Sequence, residues 1–178
     1  MTSGSTKKCT NNKSVMQKNI AVIPGDGVGP EVTQQAVKIL DAIAQQFSHR
    51  FDYTFCPMGA VAIDKTGEPL PDETVSVCLD SDAILLGAIG HPKYDNDPAA
   101  RVRPGQGSLK LRKSLGLFAN VRPVSAYPSL QHLSPLKNKQ LQGMDLVIFQ
   151  ELTGGIYLGK REVNEEGTSA TDECIYTR

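Results

Sequence analysis

Hydrophobic and polar positions along the chain change rhythm several times, and each change marks an element. Ile20-Ala21-Val22-Ile23 is a short unbroken apolar run of the kind that forms a strand buried on both faces. Pro24-Gly25-Asp26-Gly27-Val28-Gly29 is a glycine turn. From Pro30 to Phe47 apolar residues return at spacings of three and four: Val32, Ala36, Val37, Leu40, Ile43, Ala44 and Phe47. Glu31, Gln34, Gln35, Lys38, Asp41 and Gln45 fall on the other side. With Pro in its first turn, this stretch predicts an amphipathic helix whose apolar stripe packs back on a sheet. Phe51 to Phe55 alternates as a second strand, Asp72 to Leu79 predicts a short helix after the Pro69-Leu70-Pro71 turn, and Asp82 to Ala88 is a continuous apolar strand. Strands alternating with helices predict an α/β fold with a mainly parallel sheet.

Beyond residue 90 the rhythm loosens. Gly90 to Gly107 reads as a long loop rich in Pro, Gly and charge, a length that is uncommon in a compact domain unless the loop has a function. A helix is expected from Ser108 to Leu115, strands at Phe118 to Val121 and Leu146 to Phe149, and an extended stretch, Ile156 to Gly159, able to pair with Cys174 to Thr177. The expected organisation is a disordered leader over residues 1–15, the N-terminal part of a first α/β domain over 16–117, and the start of a second, incomplete domain over 118–178. The leader is rich in Ser, Thr, Asn and Lys, has no Arg and no amphipathic pattern, and Met16 is an alternative start. At the other end, Cys174-Ile175-Tyr176-Thr177-Arg178 reads as a strand still running, so a truncated fold is expected. Apolar strand edges left open by truncation favour poor solubility or obligate association.

Composition narrows the function classes. Nineteen basic residues balance 19 acidic ones, so the formal net charge is zero and there is no electrostatic footprint for nucleic acid or an anionic membrane. The longest apolar run, Ala83 to Ile89, is far short of the roughly 20 residues of a membrane-spanning helix. Cys9, Cys56, Cys78 and Cys174 are widely spaced, form no C-x-x-C pair and have no histidine at metal-ligand spacing, which fits a reducing, cytoplasmic setting.

Three segments carry candidate chemistry. The glycine turn lies where a strand feeds a helix, so its backbone could approach a ligand and the helix N-terminus offers N–H groups to an anion. As a dinucleotide fingerprint it fits poorly: the third glycine comes one position early and Pro30 follows it. Leu109-Lys110-Leu111-Arg112-Lys113 is a basic helical turn with Ser108 and Leu109 on the face of Arg112, able to present a guanidinium fork to a carboxylate beside a small apolar pocket. Arg122, before Pro123 at the end of an apolar strand, suits a cleft. Gln150-Glu151-Leu152-Thr153-Gly154-Gly155-Ile156-Tyr157 bends at two glycines and ends on a tyrosine that could move a proton. The histidines His49, His91 and His132 have no nucleophile motif around them.

Six strings occur in one order: Ile23 to Glu31, Leu85 to Gly90, Pro92-Lys93-Tyr94, Leu109 to Lys113, Phe118 to Pro123 and Glu151 to Tyr157. Together they closely resemble the isocitrate/isopropylmalate (β-decarboxylating) dehydrogenase family from about Asn19 to the end. The resemblance implies a two-domain α/β fold distinct from the Rossmann fold, here truncated, with a cleft between the domains, in a homodimer. It implies oxidation of a 2-hydroxy acid, 3-isopropylmalate of leucine biosynthesis, by NAD, and loss of the β-carboxylate with Mg or Mn stabilising the enolate. Carried over residue by residue, Arg112 and Arg122 match arginines that hold the malate carboxylates, Tyr157 the tyrosine that helps deliver a proton, and Leu109 part of the apolar pocket. Pro92-Lys93-Tyr94 and the turn around Val28 border the nicotinamide site.

Four positions depart from the family pattern. Gln150 stands in place of a third carboxylate-binding arginine and brings neither charge nor a fork. Gly105 replaces an acidic residue near the nicotinamide ribose, Ser108 a pocket leucine, and His91 a small or acidic residue of the cofactor loop. The metal ligands, the catalytic lysine and the adenine loop are expected in a C-terminal half outside this chain, so no metal ligand is assigned within it. Two alternatives stay open: a non-catalytic remnant that binds a partner, and a relative acting on isocitrate, tartrate or another substituted malate.

Overall fold

The computed structural model describes residues 15–152, 154–155 and 159–176. The expected leader thus lies outside the described residues except for Val15. Three parallel strands form the first sheet, in the order β2 (Arg50–Phe55), β1 (Gln17–Gly25), β3 (Ala83–Ala88). Ile20 of β1 pairs with Tyr53 on one side and with Ala83 on the other. This central position explains the unbroken apolar run, because a middle strand of a parallel sheet is covered on both faces. Ala21, Val22 and Ile23 are wholly buried.

Helix α1 (Gly29–Phe47) follows with Pro30 in its first turn and stops at Ser48, which takes a left-handed conformation with φ 56° and donates its N–H to Ala44. Its stripe is only partly used. Thr33 is buried and Ala36, Val37, Leu40 and Ala44 are half-buried, whereas Val32, Ile43 and Phe47, expected on the packed face, are exposed together with Ile39. The seven-residue stripe is wider than the single line of contact that a helix makes with a three-stranded sheet. The Tyr53 hydroxyl donates to Asp41 Oδ1 at 3.0 Å and ties β2 to this helix. Burial first, and the Asp41 carboxylate second, push that phenol up to about 12.

Helix α2 (Ala60–Thr66) has no counterpart among the expected elements, and α3 (Asp72–Leu79) falls where it is expected. The long loop after β3 is in part helical: α4 (Pro92–Asp95) occupies its start, and α5 (Pro104–Ser114) begins four residues before the expected Ser108. In both cases a proline supplies the first helical position, whose N–H needs no partner.

Backbone contacts divide the chain into two compact units, Met1–Ser108 and Leu109–Arg178, and the division falls inside α5. In the second unit β4 (Ala119–Ser125) pairs antiparallel with β5 (Asp145–Glu151), with a 3-10 turn at Pro128–Leu133 and a short α6 (Asn138–Leu141) between them. Strands β6 (Arg161–Val163) and β7 (Ala170–Asp172) form an antiparallel hairpin. Of the stretches expected to pair at 156–159 and 174–177, residues 156–158 and 177 lie outside the described residues; beside them Gly155 forms a bridge with Ile175, its N–H donating to the Ile175 carbonyl at 2.8 Å. The hairpin brings the chain back to that bridge.

Candidate functional site

The glycine turn is built around a buried carboxylate. Asp26 is 5% exposed. Its Oδ2 accepts from the backbone N–H of Ala60 at 2.9 Å and of Gly90 at 3.0 Å, and its Oδ1 accepts from Val61 N–H at 3.0 Å. Its own N–H donates to the Ala88 carbonyl at 2.7 Å. The turn therefore grips the first residues of α2 and the chain leaving β3. Its glycines serve this closure: a Cβ on Gly25, which has φ +75°, would lie 2.1 Å from the Ala88 oxygen, and one on Gly29 would lie 2.1 Å from the Pro24 oxygen. Two glycines read from the sequence as room for a ligand are filled by protein. Val28 stays exposed, at the N-cap of α1.

The strand order places this turn at a switch point. The chain leaves β1 for one neighbour, β2, and later returns to the other, β3, and in open parallel sheets ligands bind beyond the carboxyl ends of strands where the order reverses. Val28 follows β1, and His91, Pro92, Lys93 and Tyr94 follow β3. The structure thus gathers these five candidate cofactor residues at the ends of two adjacent strands, with Asp26 linking them through Gly90. His91 caps α4: its Nδ1 accepts from Lys93 N–H at 3.1 Å, and its own N–H donates to Asp95 Oδ2 at 2.8 Å. Lys93 Nζ donates to Asp64 Oδ1 at 2.5 Å, and the Tyr94 hydroxyl donates to the same oxygen at 2.6 Å. The bond from Lys93, followed by that from Tyr94, holds the Asp64 carboxyl below its ordinary value, and the same carboxylate raises Lys93 and Tyr94.

In the second unit the antiparallel register sets Asn120 directly opposite Gln150 and Arg122 opposite Ile148. Side chains alternate along a strand, so Asn120, Arg122 and Gln150 share one face. A guanidinium only donates, so the Asn120 amide turns its oxygen to it and accepts from Arg122 Nε and a terminal nitrogen at 2.9 Å each. The Gln150 amide lies 3.3 Å from the same end of Asn120. Arg122 and Gln150, predicted separately, thus lie on either side of a residue that sequence reasoning did not single out. The signal was present: Asn120 lies two residues before Arg122 on a strand, the spacing that shares a face.

The remaining candidates lie on α5 or beyond. Gly105 is exposed in its first turn with open space around it, Ser108 and Leu109 are half-buried, and Arg112 is half-buried between buried Leu111 and exposed Lys113. Helical spacing keeps Ser108 and Leu109 on the face of Arg112. Tyr157 lies outside the described residues. Among the described residues no group of three or more His, Cys, Asp or Glu side chains could hold a metal ion.

One unit holds a parallel three-stranded sheet with candidate ligand residues at its switch point, the other holds an antiparallel ribbon with a basic and amide cluster, and together they make an α/β protein. Residues 19–178 match the isocitrate/isopropylmalate dehydrogenase family, and the chain belongs to it. It is 52% identical over 166 residues to the 3-isopropylmalate dehydrogenase of Halalkalibacterium halodurans, an alignment covering 92% of this chain and 46% of the relative. It is 47% identical over 163 residues to that of Bacteroides fragilis, with the same coverage of 92% and 46%. Among solved structures, a β-decarboxylating dehydrogenase from Thermococcus kodakarensis in its apo form matches with a TM-score of 0.58 and 32% identity, over 89% of this chain and 40% of that one. The chain spans about half the length of the curated relatives it matches.

Proposed function

We propose that this chain serves the NAD-dependent oxidation and decarboxylation of 3-isopropylmalate in leucine biosynthesis, as part of a cytoplasmic homodimer. The observation that carries the reading is the Asn120–Arg122–Gln150 face: it offers a fixed guanidinium fork and an amide to a small carboxylic acid, in a chain about half identical to relatives named for this activity. Arg122 and Arg112 hold the two malate carboxylates, Gln150 adds a neutral hydrogen-bonding group, and Leu109 with Ser108 meets the isopropyl group. Tyr157 passes a proton to the product carbon.

NAD, when bound, takes hydride from the hydroxyl-bearing carbon. The packed glycine turn does not fit a pyrophosphate, because Ala88 and Pro24 occupy the space beside Gly25 and Gly29. Exposed Val28 and the turn at His91, Pro92, Lys93 and Tyr94 fit a flat ring lying beyond the strand ends, with Gly105 leaving room near its ribose. For Mg or Mn the described residues do not make a site. No helix among the described residues is long and apolar enough to cross a membrane.

A second reading, another substituted malate, is favoured by Ser108 and Gln150, which make the pocket more polar than a leucine and an arginine would. Calorimetric titration of the protein with 3-isopropylmalate, isocitrate and tartrate separates the two. Preferential binding of 3-isopropylmalate, lost in Arg122→Ala, is the expected result. Preference for another acid, or no binding of any of them, overturns the proposal.

A further inference from the structure

We infer that Asp64 is a positioning residue for the 91–94 turn, a carboxylate on α2 that fixes Lys93 and Tyr94 at the switch point. The inference rests on the reading of that turn as the cofactor's neighbour, and it adds a residue on an element that the reading does not use.

Two carboxylates from different elements hold the turn at its two ends. Asp26 receives the Gly90 N–H at 3.0 Å just after β3, and Asp64 receives Lys93 and Tyr94 one helical turn later. The carboxylates are themselves linked, since Asp26 also accepts from Ala60 and Val61, the first residues of the helix that carries Asp64. Glycine turn, α2 and α4 thus form one closed frame. Within it a single oxygen, Asp64 Oδ1, takes both donors, and Lys93 Nζ sits 5.0 Å from the Tyr94 ring centre, where a cation is attracted to the ring face.

The Asp64 and Lys93 side chains are 50% and 58% exposed, so their pairing adds little to overall stability. Its effect is geometric. It commits the ammonium and the phenol to one place, so a ligand arriving at the strand ends meets a turn already ordered, which lowers the ordering cost of binding. It also withdraws the Lys93 charge from any phosphate nearby. A free Lys93 would make binding here depend more on ionic strength.

The test compares wild type with Asp64→Ala, Asp64→Asn, Lys93→Met and Tyr94→Phe, using amide hydrogen exchange, alkaline titration of the tyrosines with Tyr94→Phe as the blank for Tyr94, and titration with NAD. In Asp64→Ala the amides of His91 and of residues 93–95 exchange about tenfold faster while those of Val22 and Ile23 do not change. In the same variant Tyr94 titrates lower than in wild type, and NAD binds about fivefold more weakly. Asp64→Asn, which keeps an acceptor, recovers part of the protection. Lys93→Met and Tyr94→Phe each loosen the turn in part, which guards against a fold defect peculiar to the Asp64 variants. Unchanged exchange and an unchanged Tyr94 in Asp64→Ala overturn the inference, as does a loosened turn with undiminished NAD affinity. If wild type itself fails to bind NAD, the cofactor reading falls, and the exchange and titration arms still decide whether Asp64 fixes the turn.

Discussion

Asp26 Oδ2 accepts from the backbone N–H of Gly90 at 3.0 Å and so joins the turn leaving β1 to the chain leaving β3. A parallel pair has no hairpin between its strands, and the register of their carboxyl ends relies on side chains or on crossover helices. Here one buried carboxylate does both, because its remaining bonds hold the start of α2.

Asp26→Ala therefore leaves three backbone N–H groups without their acceptor in a site that is almost closed to water. Bonds to a charged acceptor contribute about 1.5–3 kcal/mol each, and the site relaxes in part, so a loss of about 3 kcal/mol is expected on urea unfolding. Asp26→Asn keeps one oxygen and loses less. A loss below about 1 kcal/mol in Asp26→Ala would show that the carboxylate is not the clamp that its geometry describes.

Arg122 is held by Asn120 through two bonds of 2.9 Å, which fixes the plane of its guanidinium. Arg122→Lys keeps the charge and loses the fork, so binding of 3-isopropylmalate should weaken about tenfold or more by calorimetry. Gln150→Arg should act in the opposite sense for a dianion, because it adds a second cation beside Arg122 that a bound carboxylate can bridge. In the ligand-free protein the same change places two like charges together, so its thermal midpoint should fall while its ligand-induced gain rises. Equal affinity of wild type and Arg122→Lys would remove Arg122 from the binding face.

The elements most legible from the sequence were those whose pattern has one physical cause. The run from Ile20 to Ile23 is apolar because β1 is covered on both sides, and that could be read directly. Helix α2 could not: Ala60 to Thr66 is seven residues long, too short for a repeating stripe, and is secured by Asp26 from 34 residues away in sequence. Likewise α4 is a single turn, capped by His91 and tied down by Asp64, neither of which shows in hydrophobic spacing. For the site, residue types and order pointed to Arg122 and Gln150. That Asn120 lies beside both follows only once the β4–β5 register is known.

Burial separates the cysteines. Cys56 and Cys78 are 6% and 3% exposed, whereas Cys174 is exposed. Burial pushes both inner thiols up, Cys78 to about 11, with smaller contributions from Glu73 on Cys56 and from Cys56 on Cys78. The thiolate is the reactive form, so at neutral pH an alkylating reagent should modify Cys174 at least about tenfold faster than either buried thiol. Peptide mapping by mass spectrometry after timed quenching reads this directly. Comparable labelling of Cys78 in buffer without denaturant would mean that its surroundings open readily.

The pH dependence of stability should have two limbs of opposite cause. Asp64, Asp82 and Asp52 are all held below the ordinary carboxylate value. Asp64 is lowered by Lys93 and then Tyr94, Asp82 by Lys18 and then the Asn19 N–H, and Asp52 by Arg50 and then Gln17. A group whose pKa is lower in the folded chain stabilises it above the unfolded value, about 4, and that contribution is lost as pH falls through the folded one. Tyr53 behaves in the reverse way. Its folded value of about 12 exceeds the unfolded value, so the folded chain keeps a proton that the unfolded chain releases, and stability falls as pH rises above about 10. The buried Cys78 thiol, raised to about 11, adds to the alkaline limb in the same sense, so a thermal-midpoint series against pH should fall off below about pH 4 and above about pH 9. Asp82→Asn should flatten the acid limb without touching the alkaline one, because Asp82 links β1 to the turn before β3, and Tyr53→Phe should do the converse. If Tyr53→Phe leaves the alkaline limb as steep as in wild type, burial and the Asp41 carboxylate do not raise that phenol as described.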